Sequence, residues 1–334
     1  MKLSNAPQVD SEMARMRSSG PLHEHIQAVV DEMGIDDPRE AVRQKARSRL
    51  AEMTPYFDSP PFDLLALASC FDLQWSDESP AFSQDSEIVP QEDGRVALRV
   101  NQQRPLTRQR FSIAHEIGHT LFPDYQFSVR CRKATERRWT DDDLLESLCD
   151  VAASEFMFPL PWFTDSLAAM QWTGDGLAKL ADEYQASREA TARRVVEVHA
   201  EPMAAVYLSW KLKPTELQQV ARNARQPSLL DELAPEDPEA KLRVDYVIAN
   251  ESYRSVSGPH IPIYKSMPSK GPMYEASISQ SPTTGNLTIE IGRTSEDFQI
   301  IAAPIYTEVA ELGPDNGNSV VAIIRPANHE SKIW

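Results

Sequence analysis

The sequence predicts an α+β protein, with a mostly helical first part that includes a small sheet and a strand-rich second part. Two segments, 107–122 and 140–158, have apolar residues at the i, i+3, i+4 spacing that is typical of buried helix faces. After an acidic loop over 76–94, the segment 95–101 alternates apolar and polar residues and predicts a strand. Beyond residue 240 the apolar runs are short and separated by turn-forming residues, which predicts a second, small sheet.

The same patterns predict the remaining elements. Residues 21–54 predict two helices with a break at 34–38, and residues 61–71 predict a third helix. Residues 176–196 predict two short helices that meet near Ser187 and have the form of a helix-turn-helix. The strands expected in the second part are 242–247, 275–278, 287–291, 298–301 and 320–324.

These elements group into four sections of the chain. Residues 1–20 are polar, and we expect a mobile N-terminus there. Residues 21–212, which include the helix-turn-helix-like segment, form the expected first domain. A polar, proline-containing linker is expected over 213–240, and a second domain over 241–334.

Composition limits the class of protein. No run of 18 apolar residues is present, and the N-terminus lacks the apolar core of a signal peptide. The cysteines Cys70, Cys131 and Cys149 are scattered without disulfide or metal-binding spacing, which favours a reducing compartment, so we expect a cytoplasmic protein. A net charge of −16 argues against bulk binding of nucleic acid.

Residues 115–119 are His-Glu-Ile-Gly-His, within one of the predicted helices. A step of four residues places His115 and His119 on the same helix face, where two neutral imidazoles can bind a divalent metal, most commonly zinc. Glu116 is placed to take a proton from a water that the metal activates. The alternative is an amphipathic helix with two surface histidines, but the apolar residues of this segment place the histidines beside the core.

A catalytic zinc site needs a third protein ligand, and the second predicted helix offers one. This helix begins after Thr140, a favourable N-cap residue, and Glu146 and Asp150 flank its apolar face one turn apart. We expect Glu146 to be the third ligand and Asp150 to accept the free ring N–H of a ligating histidine. The alternative, in which both carboxylates belong to a solvated acidic face, stays open.

At these two segments the chain resembles the ImmA/IrrE-type metallopeptidases. The resemblance rests on Arg-Phe-Ser-Ile-Ala-His-Glu-Ile-Gly-His-Thr-Leu-Phe over 110–122 and on Glu-Ser-Leu-Cys-Asp-Val-Ala-Ala-Ser-Glu-Phe-Met-Phe-Pro over 146–159. It covers roughly residues 60–210, with both motifs in the family's order. Phe158 departs from the family, which more often has Met before the proline, and we interpret this as a change in packing.

The resemblance implies a zincin-like metallopeptidase with one Zn²⁺ per chain, held by His115, His119 and Glu146, with Glu116 as the general base. By analogy with the fold of zinc peptidases, in which a strand precedes the metal helix, we also expect the strand 95–101 to have a free edge to which the substrate backbone binds. The resemblance implies a protein substrate, a helix-turn-helix repressor encoded nearby, whose cleavage switches on phage, stress or DNA-damage genes. Finally, it implies a GAF-like sensor domain in the second part.

Cys131 lies between the two metal helices and is flanked by cations that would favour its thiolate. One hypothesis is that this thiolate is a regulatory fourth ligand that keeps the enzyme latent; the alternative is an ordinary loop cysteine. The residue that stabilises the oxyanion is not identified, and Tyr125, His199 and several arginines are candidates.

Basic residues cluster before the first metal helix and between the two metal helices. One hypothesis is a rim that holds an acidic substrate segment or a short single strand of nucleic acid, which could act as an activator; the alternative is a set of solvated charges. The residues concerned are Arg104, Arg108, Arg110, Arg130, Arg132, Lys133, Arg137 and Arg138.

Two other functions compete with a regulated peptidase. The first is a DNA-binding regulator that uses residues 176–196 and has a structural zinc site. The second is a sensor or scaffold whose catalytic site is vestigial, although the intact Glu116 argues against it.

Overall fold

The computed structural model describes residues 24–53, 59–80, 84–123, 125, 130–133, 141–225, 237–256, 260–305 and 318–327. Contacts between Cα atoms divide the chain into two compact units. Among the described residues, the first unit comprises 24–170 and 179–194, and the second comprises 171–178 and everything from 195 onward. The expected mobile N-terminus, 1–20, lies outside the described residues.

The first unit is mixed α+β, as the sequence predicts. Its helices are α1 (Glu24–Met33), α2 (Pro38–Met53), α3 (Leu64–Cys70), α4 (Leu106–His119), α5 (Asp141–Met157) and α6 (Leu160–Ala169). Two further helices, α7 (Gly174–Glu183) and α8 (Arg188–Val198), are divided between the two units. The strands of the first unit are β1 (Leu73–Trp75), β2 (Gln84–Pro90), β3 (Val96–Val100) and β4 (Arg130–Lys133). The break at 34–38 is confirmed: Gly34 has a φ of +64°, and Pro38 begins α2.

The four strands form one sheet in the order β1-β3-β2-β4. Strand β3 is confirmed, but its expected free edge is wrong, because β3 pairs parallel with β1 on one side and antiparallel with β2 on the other. The expected acidic loop over 76–94 is also wrong in part, because it contains β2. The first residues of β2, Gln84–Ser86, are polar and buried, so the alternation that indicates a strand is absent there.

Helices α4 and α5 pack closely at Gly118. A Cβ atom at Gly118 would lie 3.0 Å from the carbonyl oxygen of Cys149 and 3.2 Å from Cβ of Ala152. The close approach of α5 explains why residue 118 is glycine, although a glycine inside a helix costs about 1 kcal/mol relative to alanine.

A buried ion-pair cluster holds the C-terminal half of α5. Glu155 is fully buried and accepts two hydrogen bonds of 2.7 Å from the guanidinium of Arg194, which is 1% exposed. Arg47, in α2, donates two more, of 3.0 and 3.1 Å. Burial raises the pKa of the Glu155 carboxyl, but the hydrogen bonds and charges of Arg194 and Arg47 lower it below its ordinary value. One carboxylate therefore ties α5 to α2 and α8.

The second unit contains an antiparallel sheet of five strands in the order β6-β5-β9-β8-β7. Its strands are β5 (Ala204–Lys211), β6 (Lys241–Ala249), β7 (Thr283–Ile291), β8 (Thr294–Ile305) and β9 (Ser319–Pro326), and its remaining helices are α9 (Pro214–Arg225), α10 (Glu251–Ser255) and α11 (Pro272–Ser279). A hydrophobic core covers the sheet and includes Phe298, Ile300 and Met273 of α11.

The boundaries of the second unit differ from the expected domain limits. Strand β5 lies between β6 and β9, so residues 204–211 belong to the second sheet and not to the first domain. Part of the expected linker is helix α9, which Arg243 of β6 holds through hydrogen bonds of 2.9 and 3.0 Å to Glu216. The expected strand 275–278 is part of α11, which has proline at its start and buries residues one turn apart. Within the described residues, no helix is long and apolar enough to cross a membrane.

Replacing Glu155 with glutamine tests the buried cluster. The change leaves Arg194 without its counter-charge, so we expect the free energy of unfolding to fall by about 3–5 kcal/mol, measured by urea denaturation of the full chain. Glu52→Gln is the matched control, because Glu52 forms an exposed pair with Arg49, and it should cost less than about 1 kcal/mol. Equal losses in the two variants would contradict the account.

A candidate metal centre between two helices

Helix α4 holds both histidines and the intervening glutamate on its buried side. His115 and His119 are each 1% exposed, and Glu116 is fully buried. The rings of the two histidines are 5.0 Å apart between centroids and nearly perpendicular. The structure thus places the pair beside the core, as the apolar spacing of the segment predicts.

Glu146 of α5 meets both histidines. Its Oε2 lies 3.1 Å from Nε2 of His115, and its Oε1 lies 3.5 Å from Nε2 of His119. The Glu146 side chain is 35% exposed, so the site opens on this side. Three donor atoms of the types that zinc prefers therefore converge, and the residue set fits a divalent metal.

The second ring nitrogen of each histidine also has a partner on α5. Nδ1 of His115 lies 2.9 Å from Oδ1 of Asp150, so the structure brings this residue to the position expected of it. Nδ1 of His119 lies 3.3 Å from Sγ of Cys149, which is fully buried. Partners of this kind fix the orientation of ligating imidazoles. Cys149 is not among the predicted site residues. It lies three residues after Glu146, however, so the two side chains are on the same side of the helix.

Cys149 offers a competing set of donors. Ligand atoms of His115, His119 and Cys149 lie within 4.8 Å of one another, so a thiolate-containing site is also geometrically available. We favour the set with Glu146, because its carboxylate meets Nε2 of both histidines, whereas Cys149 meets the opposite edge of the His119 ring. In this arrangement Cys149 orients His119 as Asp150 orients His115.

Glu116 points to the sheet. The hydroxyl of Ser86, in β2, donates a hydrogen bond of 2.6 Å to Oε1 of Glu116, and both residues are fully buried. Ser86 is not among the predicted site residues, because it lies in the segment expected to be a loop.

The charges at the site shift two pKa values. Burial lowers the pKa of the His115 imidazole, but its hydrogen bonds to Asp150 and Glu146 and their negative charges raise that pKa to about 9. For Glu146, burial raises the pKa, whereas the hydrogen bond and charge of His115 bring it below its ordinary value. The site thus favours a positive charge among these carboxylates, and a metal ion can provide that charge in place of a proton.

The remaining candidate residues lie in other settings. The backbone of Cys131 pairs with that of Glu87, but its side chain lies outside the described part of the chain, so its regulatory role stays a hypothesis. Tyr125 lies near Asp72, and burial together with this charge raises the pKa of its hydroxyl. His199 belongs to the second unit, where its ring packs 5.0 Å from that of Trp172.

Three arginines of the expected basic rim have internal partners. Arg104 and Arg108 both pair with the buried carboxylate of Asp85, each with an Nε–oxygen distance of 2.9 Å. Arg110 donates a hydrogen bond of 3.0 Å to the carbonyl of Phe62. These contacts favour a structural role over binding of a nucleic acid. The side chains of the remaining basic residues, 130–138, lie outside the described residues.

The helix-turn-helix-like segment forms α7 and α8, and Ser187 caps α8 by accepting a hydrogen bond of 3.1 Å from the amide of Ala190. Every residue of α8 is buried or half-buried. Arg194, a basic residue of this helix, is committed to Glu155. A recognition helix needs an exposed face that enters the major groove, so α8 has the surface of a packing helix.

Known proteins resemble this chain mainly in the first unit. Residues 78–196 match the profile of the IrrE N-terminal-like domain, Peptidase_M78. The radiation response metalloprotease IrrE of Deinococcus radiodurans is 32% identical over 93 residues, which is 27% of this chain and 27% of that protein. The radiation response metalloprotease IrrE of Deinococcus deserti is 32% identical over 111 residues, or 32% of this chain and 38% of that protein. The aligned region thus spans less than two-fifths of either curated relative.

A solved structure resembles the chain over a greater length. It is described as a Mycobacterium tuberculosis transcriptional regulator, has a TM-score of 0.50 and is 11% identical, and the match covers 90% of this chain and 79% of that one. At this identity the likeness concerns the fold alone. The metal-centre residues of α4 and α5 all lie within 78–196.

The raised pKa of His115 predicts how the stability of the metal-free protein depends on pH. Because the folded pKa, about 9, exceeds the ordinary value of 6.5, the contribution of His115 is fully present below pH 6.5 and is lost as the pH rises toward 9. We expect the melting temperature of chelator-treated protein to fall over this range, and His115→Gln to remove most of that fall. An equal fall in His115→Gln would show that another group is responsible.

Proposed function

We propose that the chain is a zinc-dependent endopeptidase of the ImmA/IrrE type, because residues 78–196 match the profile of the IrrE N-terminal-like domain and resemble the two Deinococcus metalloproteases. Its metal ligands are His115, His119 and Glu146, with one Zn²⁺ per chain. The observation on which the proposal rests most is the approach of one carboxylate to Nε2 of both histidines, at 3.1 and 3.5 Å.

The chemistry follows from the types of these residues. A zinc ion bound here would polarise the substrate carbonyl and bring the pKa of water to about 7. Glu116 takes the proton of the attacking water and later delivers it to the leaving amine, as a general base and then a general acid. Asp150 and Cys149 keep the two imidazole rings in the orientation in which both Nε2 atoms face Glu146.

The substrate that we propose is a protein, specifically a helix-turn-helix repressor encoded near this chain, in the cytoplasm. Its cleavage would induce stress, DNA-damage or phage-defence genes. The support for this is the resemblance to the family and to the two Deinococcus relatives, which are radiation response metalloproteases.

For the second unit we propose a GAF-like sensor role. Taken in chain order, its five strands are arranged 2-1-5-4-3 and are antiparallel throughout, so it has a sheet and a core of its own. Residues from 195 onward lie almost entirely outside the segment that matches the peptidase family, which agrees with a separate role. A DNA-binding function through 176–196 is not proposed, because α8 lacks an exposed face and Arg194 is buried.

The peptidase function predicts that Glu116→Gln retains zinc and loses cleavage, because the amide keeps the shape of the side chain but cannot take a proton. The purified full chain is incubated with the repressor encoded beside its gene, with and without chelator, and the products are identified by intact mass. We expect cleavage by the parent chain alone, and only without chelator. Full cleavage by Glu116→Gln would contradict the mechanism.

The proposed ligand set predicts a large loss of zinc affinity in Glu146→Ala, about tenfold or more, because one of the three protein ligands is removed. Zinc content is measured by elemental analysis after dialysis against a competing chelator. Glu52→Ala, an exposed carboxylate of α2, is the control and should retain zinc. If Cys149→Ala loses the metal and Glu146→Ala keeps it, the thiolate-containing set is the correct one.

A further inference from the structure

We propose that Ser86 is a positioning residue for Glu116 and that a β-bulge in β2 places it there. The inference rests on the proposed peptidase function, in which Glu116 is the base. Ser86 lies outside both sequence motifs of the family and 30 residues before Glu116.

The contact is short and fully buried. The Ser86 hydroxyl donates to Oε1 of Glu116 at 2.6 Å, a distance typical of an O–H group bonded to a carboxylate. A buried carboxylate is costly unless donors satisfy it, and a donor of fixed position also selects one side-chain rotamer.

The backbone of β2 is irregular at this residue. In the pairing of β2 with β4, Gln84 lies opposite Lys133 and Glu87 lies opposite Cys131, with a shift of register between the two pairs. Three steps along β2 therefore match two along β4, and the extra residue falls at Asp85–Ser86. A bulge changes the direction of the side chains within it and is common beside active sites.

The residue before Ser86 secures the bulge to the start of the metal helix. The buried carboxylate of Asp85 pairs with Arg108 in the first turn of α4 and with Arg104 just before it. The carbonyl of Asp85 also accepts a hydrogen bond of 2.8 Å from the amide of Asn101. Arg108 and Glu116 are two four-residue steps apart and share one face of α4, so adjacent residues of the bulge bind the same face of the helix.

A merely structural role for Ser86 makes different predictions. If the hydroxyl only satisfies a buried group, its loss lowers stability as the loss of any buried hydroxyl does and leaves turnover per folded molecule unchanged. If it positions the base, its loss lowers kcat and leaves KM and zinc content unchanged, because neither the substrate contacts nor the ligands change.

The variants are Ser86→Ala, which removes the hydroxyl, and Ser86→Thr, which keeps it. The matched control is Ser277→Ala, because Ser277 is also fully buried and its hydroxyl donates one hydrogen bond, of 2.7 Å, to the carbonyl of Tyr274 in the second unit. For each full-length protein, zinc content is measured by elemental analysis, and kcat and KM are measured on the repressor encoded beside the gene.

We expect Ser86→Ala to keep its zinc, to keep KM within about twofold and to lose about 10- to 100-fold in kcat, the scale at which a misplaced catalytic group acts. Ser86→Thr should recover most of this loss, and Ser277→Ala should leave kcat unchanged. The proposal is overturned if Ser86→Ala retains full kcat or if Ser277→Ala loses as much.

A second measurement does not depend on activity. In the metal-free protein, Ser86→Ala should lower the melting temperature by about 2–4 °C, and by less than half as much when Glu116→Ala is also present. Equal decreases in the two backgrounds mean that the residues are not coupled, which overturns the proposal. If the parent chain cleaves no repressor, the peptidase function fails, whereas this cycle still decides whether Ser86 holds Glu116.

Discussion

The candidate site depends on how closely α4 and α5 can approach. Gly118 lies between the two histidines, and a Cβ atom at this position would lie only 3.0 Å from the carbonyl oxygen of Cys149. That approach brings Glu146, Cys149 and Asp150, all on α5, within reach of the two imidazole rings on α4. A larger residue at 118 would move the helices apart and separate Glu146 from the two histidines. The cost of a glycine inside a helix is thus offset by the geometry of the site.

Around the converging atoms, each functional group is held by a second contact. Asp150 holds His115, Cys149 holds His119 and Ser86 holds Glu116. Polar groups in a buried site require such partners, since an unsatisfied one costs about 1–3 kcal/mol. Farther along α5, Glu155 ties the same helix to two arginines. Helix α5, which carries Glu146, is therefore held both at its contacts with the two histidines and in its C-terminal half.

The sequence was sufficient for features that lie within one element. The spacing of His115 and His119, and the placement of Glu146 and Asp150 one turn apart, follow from helical geometry and were placed correctly on α4 and α5. Features that depend on two distant segments were not predictable. Strand β2 lacks alternation because its polar residues are buried against partners 19 to 30 residues away. Strand β5 lies in the second sheet partly because its residues 204–208 pair with β9, more than 100 residues later.

The central claim is that two histidine nitrogens and one oxygen of Glu146 bind the metal, while the sulfur of Cys149 lies outside its coordination shell. X-ray absorption at the zinc edge, measured on the zinc-loaded Cys131→Ser protein so that any sulfur reports on Cys149, tests this most directly. The account predicts only nitrogen and oxygen neighbours, at about 2.0–2.2 Å. A sulfur neighbour at about 2.3 Å would contradict it.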